Sequence, residues 1–470
     1  MDTRVLRQTV GSLLLYSNVL EQPPMQHWVQ LLEHLSRLNQ AMPPATSPAD
    51  HPPTHTPIAD VCQTGILQTY GQWFQALAAA PQGWQDYLFT ALITTATPFS
   101  EQVQTKNWDD LPAAMQLAVR HDLHILQQIY QWNCEAIFQA VHQAVPDVPI
   151  VSWVDRLDPA LLPTAQGHAA SHLRSQLEHF NDWADAIPQL VDYYRQFGTG
   201  IFAQYQALRW SDGDLQGIEQ PDPICLENLV GYDWQQQSLV QNTQALLAGY
   251  PALNVLLYGS RGSGKSSLIK ALVNQFGDAG LRLIEVSKAS LGDLPNIVEQ
   301  LRSCPQKFII FVDDLSFEED DDAFKSLKVV LEGGVTARPD NVVVYATSNR
   351  RHLIREFYGD RPQPKDADEI HQWDTLQEKM SFSDRFGLTL TFEPAAQPTY
   401  LQIVQHLAQA ARLVISDADL EFRALQWATQ HNGRSGRSAR QFIDYLTADL
   451  ALNPDSELNA DSGLNQVTQQ

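Results

Sequence analysis

The segment Gly259-Ser260-Arg261-Gly262-Ser263-Gly264-Lys265-Ser266 matches G-x-x-x-x-G-K-[ST] at every fixed position. Glycines at this spacing let a loop fold tightly, so that its backbone N–H groups face inward onto phosphate oxygens. The lysine suits the β and γ phosphates, and the hydroxyl after it suits a Mg²⁺ ion. Val255 to Tyr258 reads as a buried strand just before the loop, and Ser266 to Phe276 as a helix just after it. The helix N-terminus adds a dipole that favours anions. Both flanks count against a chance glycine-rich turn. The candidate phosphate-binding set is Gly259, Ser260, Arg261, Gly262, Ser263, Gly264, Lys265, Ser266 and the adjoining hydroxyl of Ser267.

Phe308-Ile-Ile-Phe-Val312-Asp313-Asp314 is an apolar strand that ends in two carboxylates. Asp313 is placed to hold Mg²⁺ through water, and Asp314 to polarise an attacking water. The acidic run Glu318 to Asp322 reads as a solvated charge run, which does not account for an acid directly after the strand. Val342 to Ala346 is another buried strand, followed by Thr347-Ser348-Asn349. Alone, Asn349 reads as a turn residue. Following the next strand after Asp313, it is placed to reach a water beside a γ-phosphate. Arg385 lies just before a last strand at Leu388 to Phe392, and Arg437 and Arg440 lie one turn apart at the start of the last helix. A guanidinium donates two hydrogen bonds to phosphate and stays charged, although a lone arginine is more often a surface ion pair.

The character of the chain changes near residue 215. Beyond it, strands at Val255–Tyr258, Leu281–Val286, Phe308–Val312, Val342–Ala346 and Leu388–Phe392 alternate with helical patterns such as Ala323 to Leu331. Strands buried on both faces and joined by helices predict a parallel sheet. Three helices follow from Pro398 to Leu450. Before residue 215 the apolar spacing is helical throughout, as at Leu13, Tyr16 and Leu20, at Trp28, Leu31, Leu32 and Leu35, and at Leu117, Val119, Leu123, Ile125, Leu126, Ile129 and Tyr130. Another helical pattern from about Ser171 to Leu208 contains Pro188, which kinks or splits it. The expected organisation is a helical N-terminal region over 1–216 with a proline-rich linker at 41–57, an α/β core over 217–393, a helical lid over 394–450 and a disordered tail over 451–470.

Composition limits the alternatives. The chain has 470 residues, 44% of them hydrophobic, so real cores are available and a wholly disordered chain is excluded. A net charge of −23 argues against general affinity for nucleic acid or an anionic membrane surface. Cys62, Cys134, Cys225 and Cys304 are too scattered for a zinc site or disulfide framework. No apolar run reaches the length of a membrane helix, and Leu13-Leu14-Leu15 is too short for a signal peptide, so a cytoplasmic protein without a membrane span is expected.

Taken in order, these motifs resemble an AAA+ ATPase. Gly259 to Ser266 resembles its Walker A segment and Val312-Asp313-Asp314 its Walker B. Thr347-Ser348-Asn349 resembles sensor 1, Asp384-Arg385-Phe386 the arginine-finger segment, and Gly436-Arg437 sensor 2. Leu226-Glu-Asn-Leu229-Val230-Gly231-Tyr232 resembles the segment that packs on adenine, which adds Val230 and Gly231 to the nucleotide set. More narrowly, Phe311 to Glu318, Tyr345 to His352 and Ser383 to Gly387 are similar to a bacterial AAA+ family described as a domain of unknown function. The resemblance covers Pro223 to Leu450. It implies ATP and Mg²⁺ as ligands, hydrolysis to ADP and phosphate, and a ring-type homo-oligomer in which Arg385 reaches a neighbour's nucleotide. The family's usual second acid is Glu; here it is the shorter Asp314, which leaves Glu318 as the alternative base. Arg440 is the alternative to Arg437. A polar insert at Gly359 to Glu378 is a further departure.

For the N-terminal half the resemblance implies substrate choice or anchoring, hence an unidentified protein partner. Eight of the eleven tryptophans fall before residue 215, where helical spacing favours core filling over a recognition surface. His51, His55, His121 and His124 show no metal-ligand pattern beyond the one-turn spacing of the last pair, better read as a solvated helix face. The leading expectation is an ATPase that remodels or assembles a protein partner. One alternative is a loader-type ATPase associated with nucleic acid. Residues 1–220 carry 9 Lys and Arg against 21 Asp and Glu, which counts against it, while Arg350, Arg351 and Arg355 leave room for a local basic patch. Another alternative is a nucleotide-gated scaffold with little hydrolysis.

Overall fold

A computed structural model describes residues 3–41, 57–79, 83–153, 167–317, 322–332, 339–349, 381–431 and 433–452. Glu318, the arginines at 350, 351 and 355, the 359–378 insert, most of the 41–57 linker and nearly all of the 451–470 tail lie outside the described residues. The described residues form two compact units. One spans Met1–Tyr205 with Cys304–Gln306, the other Gln206–Ser303 with the residues from Lys307 onward.

The first unit is helical, as the apolar spacing predicts. Its helices are α1 (Thr3–Val10), α2 (Pro23–Ala41), α3 (Pro57–Ala79), α4 (Trp84–Thr94), α5 (Pro98–Gln102), α6 (Ala113–Gln131), α7 (Cys134–Ala144), α8 (Gly167–His179), α9 (Ile187–Phe197) and α10 (Ile201–Gln204). The tryptophans fill its core. Trp28, Trp73 and Trp84 are fully buried, and the Trp28 ring lies 5.4 Å from Trp84 and 5.7 Å from Trp132. Pro188 splits the expected long helix. The first part ends at His179, and Pro188 falls in the first turn of α9, where its missing N–H needs no partner. Leu117 departs from the buried stripe of α6. It stands two residues before Val119, on the opposite face, and is 69% exposed. His121 contacts Ser12 and His124 contacts Gln128, and both are exposed, in keeping with a solvated face.

Leu13 to Leu20 does not form the expected helix. The chain leaves α1 after Val10 and makes a short 3-10 turn at Ser17–Glu21. The cause is tertiary. Asp122 of α6, fully buried, accepts hydrogen bonds from the backbone N–H groups of Leu14, Leu15 and Tyr16 at 3.0, 2.7 and 3.0 Å. Asp122→Ala removes the acceptor of all three N–H groups, of which that of Tyr16 is buried and that of Leu15 partly so. The expected loss is about 3 kcal/mol or more, read from urea unfolding of the full chain, with a smaller loss for Asp122→Asn. A loss under about 1 kcal/mol for Asp122→Ala would mean that other acceptors serve the loop.

The second unit carries a seven-stranded sheet in the order β2-β1-β4-β5-β6-β3-β7. The strands are β1 (Ala207–Ser211), β2 (Asp214–Gly217), β3 (Val255–Gly259), β4 (Leu281–Glu285), β5 (Lys307–Val312), β6 (Val342–Ser348) and β7 (Leu388–Phe392). Every pairing is parallel except β1 with β2. The helices between them are α11 (Asp233–Leu247), α12 (Lys265–Phe276), α13 (Leu294–Leu301) and α14 (Asp322–Glu332). After β7 come α15 (Gln397–Ala410), α16 (Asp417–Gln430) and α17 (Gly436–Leu452). This is the expected parallel α/β core with a three-helix lid. Tyr400, Val404, Leu420, Ala424, Phe442 and Ile443 form the lid's own core.

The expected boundary after residue 216 falls inside β2. The β1–β2 hairpin belongs to the sheet, because Ala207, Leu208 and Arg209 pair with Leu283, Ile284 and Glu285 of β4. Asp212 and Gly213, with φ of 55° and 82°, make a two-residue hairpin turn that requires left-handed backbone at both positions. Strand order is what assembles the site. β6 lies between β3 and β5, so the end of β6 separates the glycine loop from the two carboxylates.

Candidate functional site

The loop after β3 turns into α12 through two left-handed glycines, Gly262 (φ 74°) and Gly264 (φ 89°). Gly264 is the residue that caps α12. The lid packs directly on the loop. A Cβ at Gly262 would lie 3.0 Å from both the Arg437 Cβ and the Ser435 Oγ, and the Arg437 N–H donates to the Gly262 carbonyl at 3.1 Å.

Lys265 is buried, and its ammonium donates to the carbonyls of Gly259 and Ser260 at 3.1 and 2.7 Å and to Asn349 Oδ1 at 3.4 Å. Burial pushes its pKa down, Asp313 and Asp314 pull it back up, and the Arg437 charge adds to the lowering. A desolvated cation of this kind gains strongly from an arriving anion.

The hydroxyls of Ser266 and Thr347 both donate to Asp313 Oδ1, at 2.6 and 2.5 Å. Among the described residues no group of three or more His, Cys, Asp or Glu side chains could hold a metal. One carboxylate and one hydroxyl nevertheless fit Mg²⁺, which takes hard oxygen donors and commonly completes its shell with water and substrate phosphate. Asp314 has φ of 50°, a left-handed backbone that costs on the order of 1 kcal/mol and that aspartate tolerates better than most residues. Asn349 Nδ2 donates to Asp314 Oδ1 at 2.6 Å, so one amide joins the lysine to the second carboxylate.

These groups open onto one cavity of about 670 Å³. Arg261 to Ser267, Asp313, Asp314, Asn349, Arg437 and Arg440 are among its lining residues, as are Ile224, Leu229, Val230, Tyr232, Ile403 and Leu407. The Tyr232 hydroxyl donates to the Glu393 carbonyl at 2.7 Å, and its ring lies 5.0 Å from Phe392, which fixes that wall. A cavity that offers both charged groups and apolar side chains suits a phosphate tail attached to a flat base.

The predicted residues fall into three groups. Most line the cavity, as above. Gly259, Ser260 and Gly231 support it from outside the lining. The Ser260 N–H is committed to the Phe392 carbonyl at 2.9 Å, and a Cβ at Gly259 would overlap that same oxygen. Gly231 (φ 97°) turns beneath Thr399. Arg385 stands off the cavity wall, with Nε paired to Glu332 Oε1 at 3.0 Å. Of the two lid arginines, both line the cavity, but Arg437 is the one whose charge acts on Lys265. Sequence reasoning missed Asp222, Ile224, Gln236, Ile403, Leu407 and Gln441 on the wall. It also missed the bonding of Thr347, whose signal was a hydroxyl near the strand end, two residues before Asn349.

A family model described as a protein of unknown function, DUF815, matches residues 203–450. Among curated proteins none matches the sequence. Similar solved structures include the Thermotoga maritima RuvB Holliday junction branch migration motor, at 16% identity and a TM-score of 0.36, covering 51% of this chain and 69% of that one. A proline-to-glycine point mutant of the same protein matches at 18% identity and a TM-score of 0.35, covering 49% of this chain and 68% of that one.

Proposed function

Since this chain belongs to the DUF815 family of proteins of unknown function, we propose that its α/β unit is a Mg²⁺-dependent AAA+ ATPase whose cycle acts on a protein partner. The observation that carries this reading is the single hydrogen-bonded set from Lys265 through Asn349 and Asp314 to Thr347, Asp313 and Ser266, facing one cavity.

In this reading the loop N–H groups and Lys265 hold the β and γ phosphates, and Ile224, Val230 and Tyr232 hold the base. Ser266 and Asp313 are the residues that would hold Mg²⁺, and the ion would supply neutralisation of phosphate charge. Asp314 accepts a proton from the attacking water, and Asn349 orients that water. Arg437 places positive charge on the phosphates from the lid, so nucleotide binding and lid position are coupled through Gly262. Arg385, off its own cavity wall, supports a ring-type homo-oligomer in which it serves a neighbour. The helical unit, acidic and distinct, is the surface for the protein partner, and its charge disfavours nucleic acid.

Steady-state phosphate release tests the reading. Asp313→Asn is expected to weaken Mg²⁺-dependent binding or stop turnover. Asp314→Asn is expected to keep nucleotide binding and lower turnover about 100-fold, the scale of a lost general base. Normal turnover in Asp314→Asn with loss in Glu318→Gln would move the base to Glu318. A second reading, a nucleotide-gated scaffold, is favoured by the 2.6 Å bond that engages Asp314 with Asn349. It predicts wild-type protein that binds ATP tightly with negligible phosphate release.

A further inference from the structure

We infer that Thr347 is a positioning residue that sets both carboxylates at once, so that its single hydroxyl couples metal-dependent nucleotide binding to turnover. The inference rests on the nucleotide reading above and adds a residue to it.

Thr347 lies at the end of β6, is 2% exposed, and pairs with Leu257 of β3. Because β6 lies between β3 and β5, its end adjoins both the strand that leads into the glycine loop and the strand that leads into the carboxylates. A threonine hydroxyl has one proton to give and lone pairs to receive. Here the proton goes to Asp313 Oδ1 at 2.5 Å, a short charge-assisted bond. The threonine Oγ1 in turn receives the Asp314 N–H at 2.9 Å. The Thr347 carbonyl receives the Leu315 N–H at 2.7 Å, and the neighbouring Ser348 hydroxyl donates to the Leu315 carbonyl at 2.7 Å. The end of β6 thus straps the turn after β5 over three consecutive residues.

The strap has two consequences. With the Ser266 and Thr347 hydroxyls and the Asp314 N–H all directed at Oδ1 of Asp313, the carboxylate is fixed with its other oxygen left for an ion or its water. The bond from the Asp314 N–H to Thr347 also holds that residue in its left-handed conformation, which decides where the short side chain points. A longer second acid can reach a water by bending; aspartate cannot, so its backbone must be aimed. Thr347 does the aiming, and Asn349 then meets the carboxylate.

Thr347→Val keeps the β-branched shape and removes only the hydroxyl; Thr347→Ser keeps the hydroxyl. The test titrates a fluorescent ATP analogue into the full-length chain, with Mg²⁺ and with EDTA, and measures phosphate release in parallel. Thr347→Val is expected to keep wild-type affinity in EDTA, to lose about 10-fold of the tightening that Mg²⁺ gives, and to lower turnover about 100-fold. Thr347→Ser is expected to restore both within about 3-fold, a rescue that a merely structural role would not give in this pattern. If the valine variant fails to fold, Thr347→Ala replaces it in the same two titrations. Mg²⁺ tightening and turnover within about 2-fold of wild type in the hydroxyl-free variant overturn the inference and leave the nucleotide reading standing. A wild-type chain that binds no ATP analogue overturns both.

Discussion

Lys265→Ala is expected to abolish ATP binding, with the affinity for a fluorescent ATP analogue falling by at least about 100-fold. The ammonium is buried, is held at the loop by two carbonyls, and has its pKa lowered by burial, so it is poised to gain from an anion. Hydrogen bonds to charged groups contribute about 1.5–3 kcal/mol each, and a lysine facing two phosphates makes more than one. Arg437 and Arg440 do not replace it. They reach the cavity from the lid, across the loop, whereas Lys265 begins the helix that the loop leads into. Because the side chain also ties down the loop, Lys265→Met serves beside the alanine variant to keep the aliphatic stem, and circular dichroism checks the fold. Unchanged affinity in either folded variant would remove the phosphate role from this loop.

Arg385→Ala is expected to leave nucleotide affinity unchanged and to lower turnover by up to about 10³-fold. Binding persists because Arg385 is not part of its own cavity wall, and Lys265 and Asp313 are untouched. Turnover falls because an arginine supplied to the γ-phosphate acts on charge that develops only in the transition state. Its ion pair with Glu332 is a resting partner, one that a neighbour's phosphate must outcompete. Mixing gives the sharper measurement. Arg385→Ala and Asp314→Asn chains are each expected to be inactive alone. Co-assembled, some interfaces join an intact Arg385 to an intact Asp314, and part of the activity returns. No recovery in chains shown to co-assemble, or normal turnover in Arg385→Ala alone, removes the neighbour-serving role from Arg385 and leaves it a structural arginine.

Five strands were legible in the sequence to within a residue or two: β3, β5 and β6 are dominated by apolar runs of the kind that a doubly covered parallel sheet accepts, while β4 keeps three apolar residues around Arg282 and β7 alternates apolar residues with threonine. The β1–β2 hairpin was not. Arg209 and Asp214 are exposed, and β2 carries no apolar run; only the Asp212-Gly213 pair marks the turn. Leu13 to Leu20 has helical spacing but is held out of a helix by Asp122, more than a hundred residues away. Local periodicity contains no information about such a partner.

At the site, the glycine loop, Lys265, Ser266, the two carboxylates and Asn349 could be read from the order of the residues. The roles proposed for them depend on residue type and on position next to a strand end, and both are local. How they connect came from the folded chain. Strand order interposes β6 between β3 and β5, which brings Thr347 onto Asp313 and Asp314 and sets Asn349 between Lys265 and Asp314. Lid packing on Gly262 brings Arg437 close enough to act on Lys265 and closes the apolar wall with Ile403 and Leu407. A motif specifies which atoms can donate and accept, but hydrogen bonds need distances near 3 Å, and those distances are set by pairings between segments far apart in the chain.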